Sequence, residues 1–418
     1  MIEIVQAGAR SGSVDIPASK SAAHRQLICA ALSEKESDLI CDGMSKDIAA
    51  TIRCLEGLGA KVSQTNENTL HIVPVKRGAA ADTERAHLYC GESGSTLRFM
   101  LPVAAALGRS VVFHMEGKLP SRPHDALVKA MTEHEAVIRQ KDDLLYCDGQ
   151  LTPGEYTIPG DISSQFISGL LFALPMVPGD SHLVIEGKIE SSAYIVMTEQ
   201  AILKAKIRFE KGDHEYHIPG GQVYDAPERN RVEKDWSNAA FFLCMGAMSE
   251  EGIVVDGLDQ ESTQGDKKIL EILKRFGAEV SVEGDRVTVK KGTLTGQTVD
   301  AAEIPDLVPV VSILAAGAEG VTHIVNAERL RYKESDRLAT TAALIQAIGG
   351  EVKELPDGLV ITGKKLTGGN VNSENDHRIA MSAATAAMYC TEEIVVNGAE
   401  CVEKSYPAFW KHLGSLKK

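Results

Sequence analysis

Phe276-Gly277-Ala278-Glu279-Val280, followed by Val287-Thr288-Val289, is the stretch that decides the fold. It has the form of a helix end, a tight turn and two strands of alternating apolar residues. The glycine suits a left-handed residue closing a helix, and the alternation has the two-residue period of a half-buried hairpin. The phrase returns at Ile348-Gly349-Gly350-Glu351-Val352 with Leu359-Val360-Ile361, and at Leu58-Gly59-Ala60-Lys61-Val62 with Leu70-His71-Ile72-Val73. Weaker copies are His134-Glu135-Ala136-Val137-Ile138 with Leu144-Leu145-Tyr146, and Lys204-Ala205-Lys206-Ile207 with Tyr216-His217-Ile218. A sixth, Leu413-Gly414-Ser415-Leu416, ends without a hairpin. The second positions of the copies lie 65 to 76 residues apart. That step exceeds the common solenoid repeats and fits a complete βαβαββ unit.

The expected fold is therefore α/β (α+β), with six βαβαββ repeats, three in each of two domains. Residues 1–5 and 12–17 are expected to supply the hairpin that the sixth copy lacks, so that the N-terminus completes the last repeat. The midpoint falls at Val232-Glu233-Lys234-Asp235, just after the proline- and charge-rich Ala226-Pro227-Glu228-Arg229-Asn230-Arg231. This predicts a discontinuous domain of residues 1–20 plus 234–418 and an inserted domain of residues 21–233. Two crossings between them would make a hinge with a cleft.

A chain of 418 residues, 44% hydrophobic and 24% charged, has ordinary globular composition and room for two full cores. Its net charge of −14 argues against a general nucleic-acid or acidic-membrane binder. An anionic ligand would need a local basic pocket. The eight cysteines are scattered with no C-x-x-C pair, which points to free thiols in a reducing compartment and to no metal site. No apolar run is long enough to span a membrane, and Met1-Ile2-Glu3-Ile4-Val5 begins a strand directly, so a cytoplasmic protein is expected.

Cations recur where turns enter helices. Pro17-Ala18-Ser19-Lys20-Ser21-Ala22-Ala23-His24-Arg25 places Lys20 and Arg25 around a helix start, whose orphan N–H groups and dipole already attract anions. Cys90-Gly91-Glu92-Ser93-Gly94-Ser95-Thr96-Leu97-Arg98 is a small-residue turn before an apolar helix over 99–107. Lys118-Leu119-Pro120-Ser121-Arg122-Pro123-His124 holds Arg122 on a proline-stiffened loop, suited to a carboxylate or phosphate. Gly160-Asp161-Ile162-Ser163-Ser164-Gln165 crowds hydroxyls and an amide before a helix over 166–174, and Ser191-Ser192-Ala193-Tyr194 repeats the theme. Asp306 precedes an apolar helix over 310–316 and could take a proton from a hydroxyl. In Arg329-Leu330-Arg331-Tyr332-Lys333-Glu334-Ser335-Asp336-Arg337, a helix would set Lys333 and Arg337 on one face, with Glu334 as a second acid–base group. Asn375-Asp376-His377-Arg378 opens a helix over 379–387, and Lys404 precedes the last helix. Singly, each of these is also what a capped helix or a solvated charge looks like. Together, in an acidic protein, they describe a site for substrates bearing several phosphate and carboxylate groups.

At Lys20-Ser21…Arg25, Ser163-Ser164-Gln165, Lys333-Glu334-Ser335-Asp336-Arg337 and Asp376-His377-Arg378 the chain closely resembles the EPSP synthase family of enolpyruvyl transferases. The resemblance covers essentially the whole length and implies a fold of two domains with three βαβαββ units each. It implies transfer of the enolpyruvyl group of phosphoenolpyruvate to the 5-hydroxyl of shikimate 3-phosphate, with release of phosphate, on the way to chorismate and aromatic amino acids. No metal or organic cofactor, nucleic acid or membrane is implied, and the family is usually monomeric. Lys20, Ser21, Arg25, Ser163, Ser164, Gln165, Ser191, Tyr194, Asp306 and Lys333 would surround shikimate 3-phosphate. Lys20, Gly94, Arg122, Gln165, Arg337, Arg378 and Lys404 would hold phosphoenolpyruvate. Asp306 is the implied base and Glu334 the partner in proton exchange at the methylene carbon; Lys20 and Lys404 would assist phosphate departure, and His377 joins the catalytic candidates. Two departures from the best-studied branch stand beside this site: Glu92-Ser93-Gly94-Ser95 in the glycine turn, and Phe99 in place of a proline. The nearest rival, UDP-N-acetylglucosamine enolpyruvyl transferase, usually has a reactive cysteine in the loop matching residues 117–124. This loop has none. A non-catalytic anion-binding scaffold is the reading of a different class.

Overall fold

In the computed structural model, which describes residues 1–76 and 84–418, the repeated phrase is a helix C-terminus closed by one hydrogen-bond pattern. The amide after the left-handed residue returns to a carbonyl five positions back. The pairs are Ala60 N to Leu55 O, Ala136 N to Met131 O, Ile207 N to Ile202 O, Ala278 N to Leu273 O and Gly350 N to Ile345 O. This is Schellman closure. The left-handed residue is Gly59, Gly277 or Gly349 in three copies, but Glu135 (φ 70°) and Lys206 (φ 64°) in the other two. The copy at residues 204–207 is thus centred on Lys206, later than the sequence reading, because no glycine marks its turn.

Each complete repeat runs β-α-β-α-β-β. Ala86–Gly91 lies parallel to Val111–Met115, which is antiparallel to Leu144–Asp148, with Val137–Lys141 at the edge. The same order appears in Glu155–Pro159, Ser181–Glu186, Glu215–Ile218 and Glu210–Lys211, and in Thr298–Asp300, Val321–Val325, Gly358–Thr362 and Glu351–Leu355. Two repeats take their first strand from a distant part of the chain. Ser37–Ile40 pairs in parallel with Arg229–Arg231, and Ile253–Asp256 with Gly12–Asp15. The sixth sheet has three strands, with Ile2–Val5 antiparallel to Ile394–Asn397 and Gly369–Asn372 parallel to it. The N-terminus does complete the last repeat, but with one strand, not a hairpin. The segment between the two N-terminal strands is tied down elsewhere, Gly8 N to Ala387 O and Ser11 N to Lys417 O, so the strands enter different sheets.

The chain forms two compact units, Met1–Ser19 with Glu233–Lys418, and Lys20–Val232. The core of the second holds the first helix of each repeat: Lys20–Ala31, Gly94–Ala106 and Ser164–Ala173. In the first, the matching helices are Trp236–Gly246, Val308–Gly317 and His377–Ala386. Every residue of Trp236–Gly246 and of His377–Ala386 is buried, the polar Ser237, Asn238, His377, Arg378, Ser382 and Thr385 included. The second helices are one-sided; Ile269–Phe276 buries only Ile269, Ile272, Leu273 and Phe276. Close helix approach is built in at Gly169, where a Cβ would stand 2.2 Å from Arg98 O. Among the described residues no helix is long and apolar enough to cross a membrane.

Candidate functional site

Four of the core helices begin earlier than the sequence reading places them: Gly94–Ala106, Ser164–Ala173, Val308–Gly317 and His377–Ala386. Caps explain three of these extensions. Ser93 accepts from Thr96 N, Ser163 from Gln165 N and Asp376 from Arg378 N, each satisfying an otherwise orphan donor. Gly94, Ser164, Gln165, His377 and Arg378 therefore sit within first turns, where polar groups meet exposed N–H ends.

In the Lys20–Val232 unit, Lys20 Nζ donates to Asp47 at 2.8 Å. Arg25 is 2% exposed and fully engaged by its own unit: Nε to Thr198 Oγ1, Nη1 to Ser21 O and Nη2 to Tyr194 O, all within 2.8 Å. Burial pulls its guanidinium down to about 10. Phe99, 5.1 Å beneath the guanidinium, also packs on Phe172. The departure at Phe99 thus supplies a buried aromatic floor for Arg25. Arg122 lies flat against Gly94, where a Cβ would stand 2.9 Å from Nη1 and 3.1 Å from Cζ. Its loop is braced by His124, whose ring bonds Arg122 O at 2.9 Å and Gln140 Oε1 at 2.8 Å. Gln165 is fixed on both ends, accepting from Arg98 and donating to Ser95, each at 2.8 Å. Ser191 takes a left-handed conformation (φ 54°) ahead of Ser192–Lys204.

In the other unit, Arg337 is 1% exposed and joins three carboxylates. Nη1 meets Asp306 at 2.7 Å, Nη2 meets Glu334 at 2.8 Å and Nε meets Asp376 at 2.8 Å. Asp306 also accepts from Arg378 Nη2 at 3.2 Å. Burial alone would push the Asp306 carboxyl up, but Arg378, Arg337 and Lys333 outweigh it and hold it well below the usual carboxylate range. The carboxylates in turn raise both arginines against the effect of burial. Burial, with Arg329 and Arg337, pulls the Lys333 ammonium down to about 8 despite Asp306 and Glu334. Lys404 Nζ donates to Asn375 O at 2.7 Å, next to the Asp376 cap, and His377 is buried beside that cap.

The structure overturns the helical reading of 333–337. Residues Glu328–Tyr332 form a 3-10 turn, Lys333 is extended, and a new helix starts at Arg337 with Asp336 as its cap. The cap needs non-helical backbone, so it breaks the i, i+4 relation; instead Arg337 bonds Asp306 and Lys333 acts on the same carboxylate electrostatically. Sequence reasoning missed Asp47, Ser95, Arg98, Thr198 and Ser335, which hold the assigned residues; Ser335 donates to Asp376 at 3.0 Å. Asp47 looks like an ordinary first-turn acid, and only its place in the repeat marks it.

A model of the EPSP synthase (3-phosphoshikimate 1-carboxyvinyltransferase) family matches residues 5–413. The chain is 43% identical to the 3-phosphoshikimate 1-carboxyvinyltransferase of Clostridium acetobutylicum, over 97% of this chain and 95% of that one. It is 41% identical to that of Clostridium kluyveri, with the same coverage of 97% and 95%. Among solved structures, EPSP synthase from Acinetobacter baumannii superposes with a TM-score of 0.82 at 25% identity, covering 99% of this chain and 97% of that one.

Proposed function

The chain belongs to the EPSP synthase family and is an enolpyruvyl transferase of the shikimate pathway, and we propose that the two residue groups described above carry its reaction. The reaction joins the enolpyruvyl group of phosphoenolpyruvate to the 5-hydroxyl of shikimate 3-phosphate and releases phosphate through a tetrahedral addition–elimination intermediate. The observation that carries the site assignment is Asp306, an ionised carboxylate held between the buried Arg337 and Arg378 with Glu334 on the same arginine.

In this reading Asp306 accepts the hydroxyl proton, and Glu334 exchanges a proton with the methylene carbon as the intermediate forms and collapses. Arg122, Arg337, Arg378, Lys20, Lys404, Gln165 and Gly94 bind phosphoenolpyruvate. Fixed cations there stabilise charge that grows on the phosphate as it leaves, with Lys20 and Lys404 nearest to that role. Ser21, Arg25, Ser163, Ser164, Gln165, Ser191, Tyr194 and Lys333 bind shikimate 3-phosphate. Arg25 acts partly through its grip on Ser21 O and Tyr194 O, which sets the neighbouring hydroxyls. His377, buried beside the Asp376 cap, supports the Arg378 turn. Holding both substrates removes much of the entropic barrier. The proposed setting is a cytoplasmic monomer with these two small molecules as its partners.

The loop Leu119–Ser121 that positions Arg122 carries no thiol, and all eight cysteines are buried, which disfavours the UDP-N-acetylglucosamine reaction. Phosphorus NMR of the protein with both substrates tests the assignment. Inorganic phosphate and a product that keeps its 3-phosphate are expected, and Arg122→Ala is expected to raise KM for phosphoenolpyruvate far more than KM for shikimate 3-phosphate. An equal rise in both would remove Arg122 from the phosphoenolpyruvate site.

A further inference from the structure

The fourth repeat supplies none of the residues assigned above, yet its junctions are built like those that do. A 3-10 turn before a repeat's second helix delivers Arg122 after Leu119–Ser121, Lys333 after Glu328–Tyr332 and Lys404 at the end of Ala399–Lys404. The matching turn of the fourth repeat, Gly265–Lys268, delivers Asp266. The junction before its first helix delivers Asp235, which caps Trp236–Gly246 by accepting from Asn238 N at 2.8 Å.

Asp266 is 1% exposed. Ser237 Oγ donates to its Oδ2, while Oδ1 is buried without a hydrogen-bond donor among the described residues. Arg378, in electrostatic range, gives Nη2 to Asp306 and leaves Nε and Nη1 buried without an acceptor among the described residues. A buried carboxylate with one oxygen unserved is costly to ionise. The charged groups facing it are Asp306 ahead of Val308–Gly317, Asp235 at the cap of Trp236–Gly246, and Arg378 in His377–Ala386. Burial and the two aspartates push the Asp266 carboxyl up, against Arg378 and the Ser237 hydroxyl, to about 7. Lys267, beside it in the chain, is turned to Gln260 O.

We propose that Asp266 is a positioning residue that acts through Arg378, taking up a proton from solvent when the phosphoenolpyruvate anion engages that arginine and returning it on release. The sign follows from linkage: an arriving anion adds negative charge near Asp266 and favours its neutral form, so the neutral form binds the anion more tightly. The cluster can then accept a substrate whose charge it would otherwise repel. The inference rests on the reading of Arg378 as a phosphoenolpyruvate ligand.

The test is KM for phosphoenolpyruvate at saturating shikimate 3-phosphate, from about pH 6 to 8.5, in the wild type and Asp266→Asn. The wild type is expected to show about a tenfold rise with an inflection near neutral pH, and KM for shikimate 3-phosphate is not expected to share it. Asp266→Asn, fixed in the uncharged form, is expected to lose that inflection and to keep only the slope due to the ligand's own phosphate. An inflection retained in Asp266→Asn overturns the proposal. If that variant does not fold, Ser237→Ala decides: removing a donor that favours the ionised form moves the inflection to higher pH, and an unmoved inflection overturns the proposal. Absence of phosphate release from the wild type would instead remove the functional reading beneath it.

Discussion

Asp306 concentrates the proposed chemistry at the scale of single residues. Its charge is fixed by Arg378, Arg337 and Lys333, so it stays ionised through the physiological range. Asp306→Asn keeps the shape and removes the proposed base. It is expected to lower kcat by about 1,000-fold and, by stranding buried guanidinium charge, to cost roughly 3 kcal/mol in urea unfolding. A kcat within tenfold of wild type would contradict the assignment. Lys333 gives a pH signature. Its native value of about 8 lies below that of an unfolded lysine, so the folded state binds fewer protons between these values. The burial of Lys333 therefore costs stability below pH 8, and the cost fades as pH rises towards about 10.4. In the proposed catalysis the sign is opposite: the ammonium assigned to the substrate phosphate is lost above pH 8. KM for shikimate 3-phosphate is expected to rise there, and Lys333→Arg to stay flat. The residue types of the candidate site are legible as candidates because cations before helix starts stand out in an acidic chain. Their pairings are not. Nothing local links Arg337 to Asp306 or Gln165 to Ser95, which meet only through tertiary packing.

At the scale of elements, the helix ends were easier to read than the helix starts. A glycine before an alternating pair marks Schellman closure at Gly59, Gly277 and Gly349 because few other residues take positive φ cheaply. Where Glu135 and Lys206 take that conformation the signal fades, and the turn at Lys206 is read too early in the chain. Both residues hold a strained backbone, so Lys206→Gly and Glu135→Gly are each expected to stabilise the protein by about 0.5–1 kcal/mol in urea unfolding. Destabilisation by either would contradict the αL assignment. Helix starts extend past the apolar run because caps at Ser93, Ser163 and Asp376 recruit polar residues into the first turn. The same logic broke the expected helix at Lys333, where Asp336 begins a new one.

At the scale of the whole molecule, the six repeats and their size were legible from spacing alone, but the exchange of first strands was not. Gly12–Asp15 and Arg229–Arg231 are four- and three-residue strands with little apolar pattern, so their sequences do not say which sheet they join. The structure shows that residues 20–232 contain all twelve strands of their three sheets, Arg229–Arg231 included. A fragment of residues 20–232 is expected to fold with a cooperative urea transition, and one ending at residue 228 to be clearly less stable. Equal stability of the two would deny Arg229–Arg231 its role in the first sheet. The account as a whole is tested most directly by a phosphate-release assay with phosphoenolpyruvate, run in parallel with shikimate 3-phosphate and with UDP-N-acetylglucosamine. Release with shikimate 3-phosphate alone, lost in Asp306→Asn, is the expected result; release only with UDP-N-acetylglucosamine, or with neither acceptor, would contradict it.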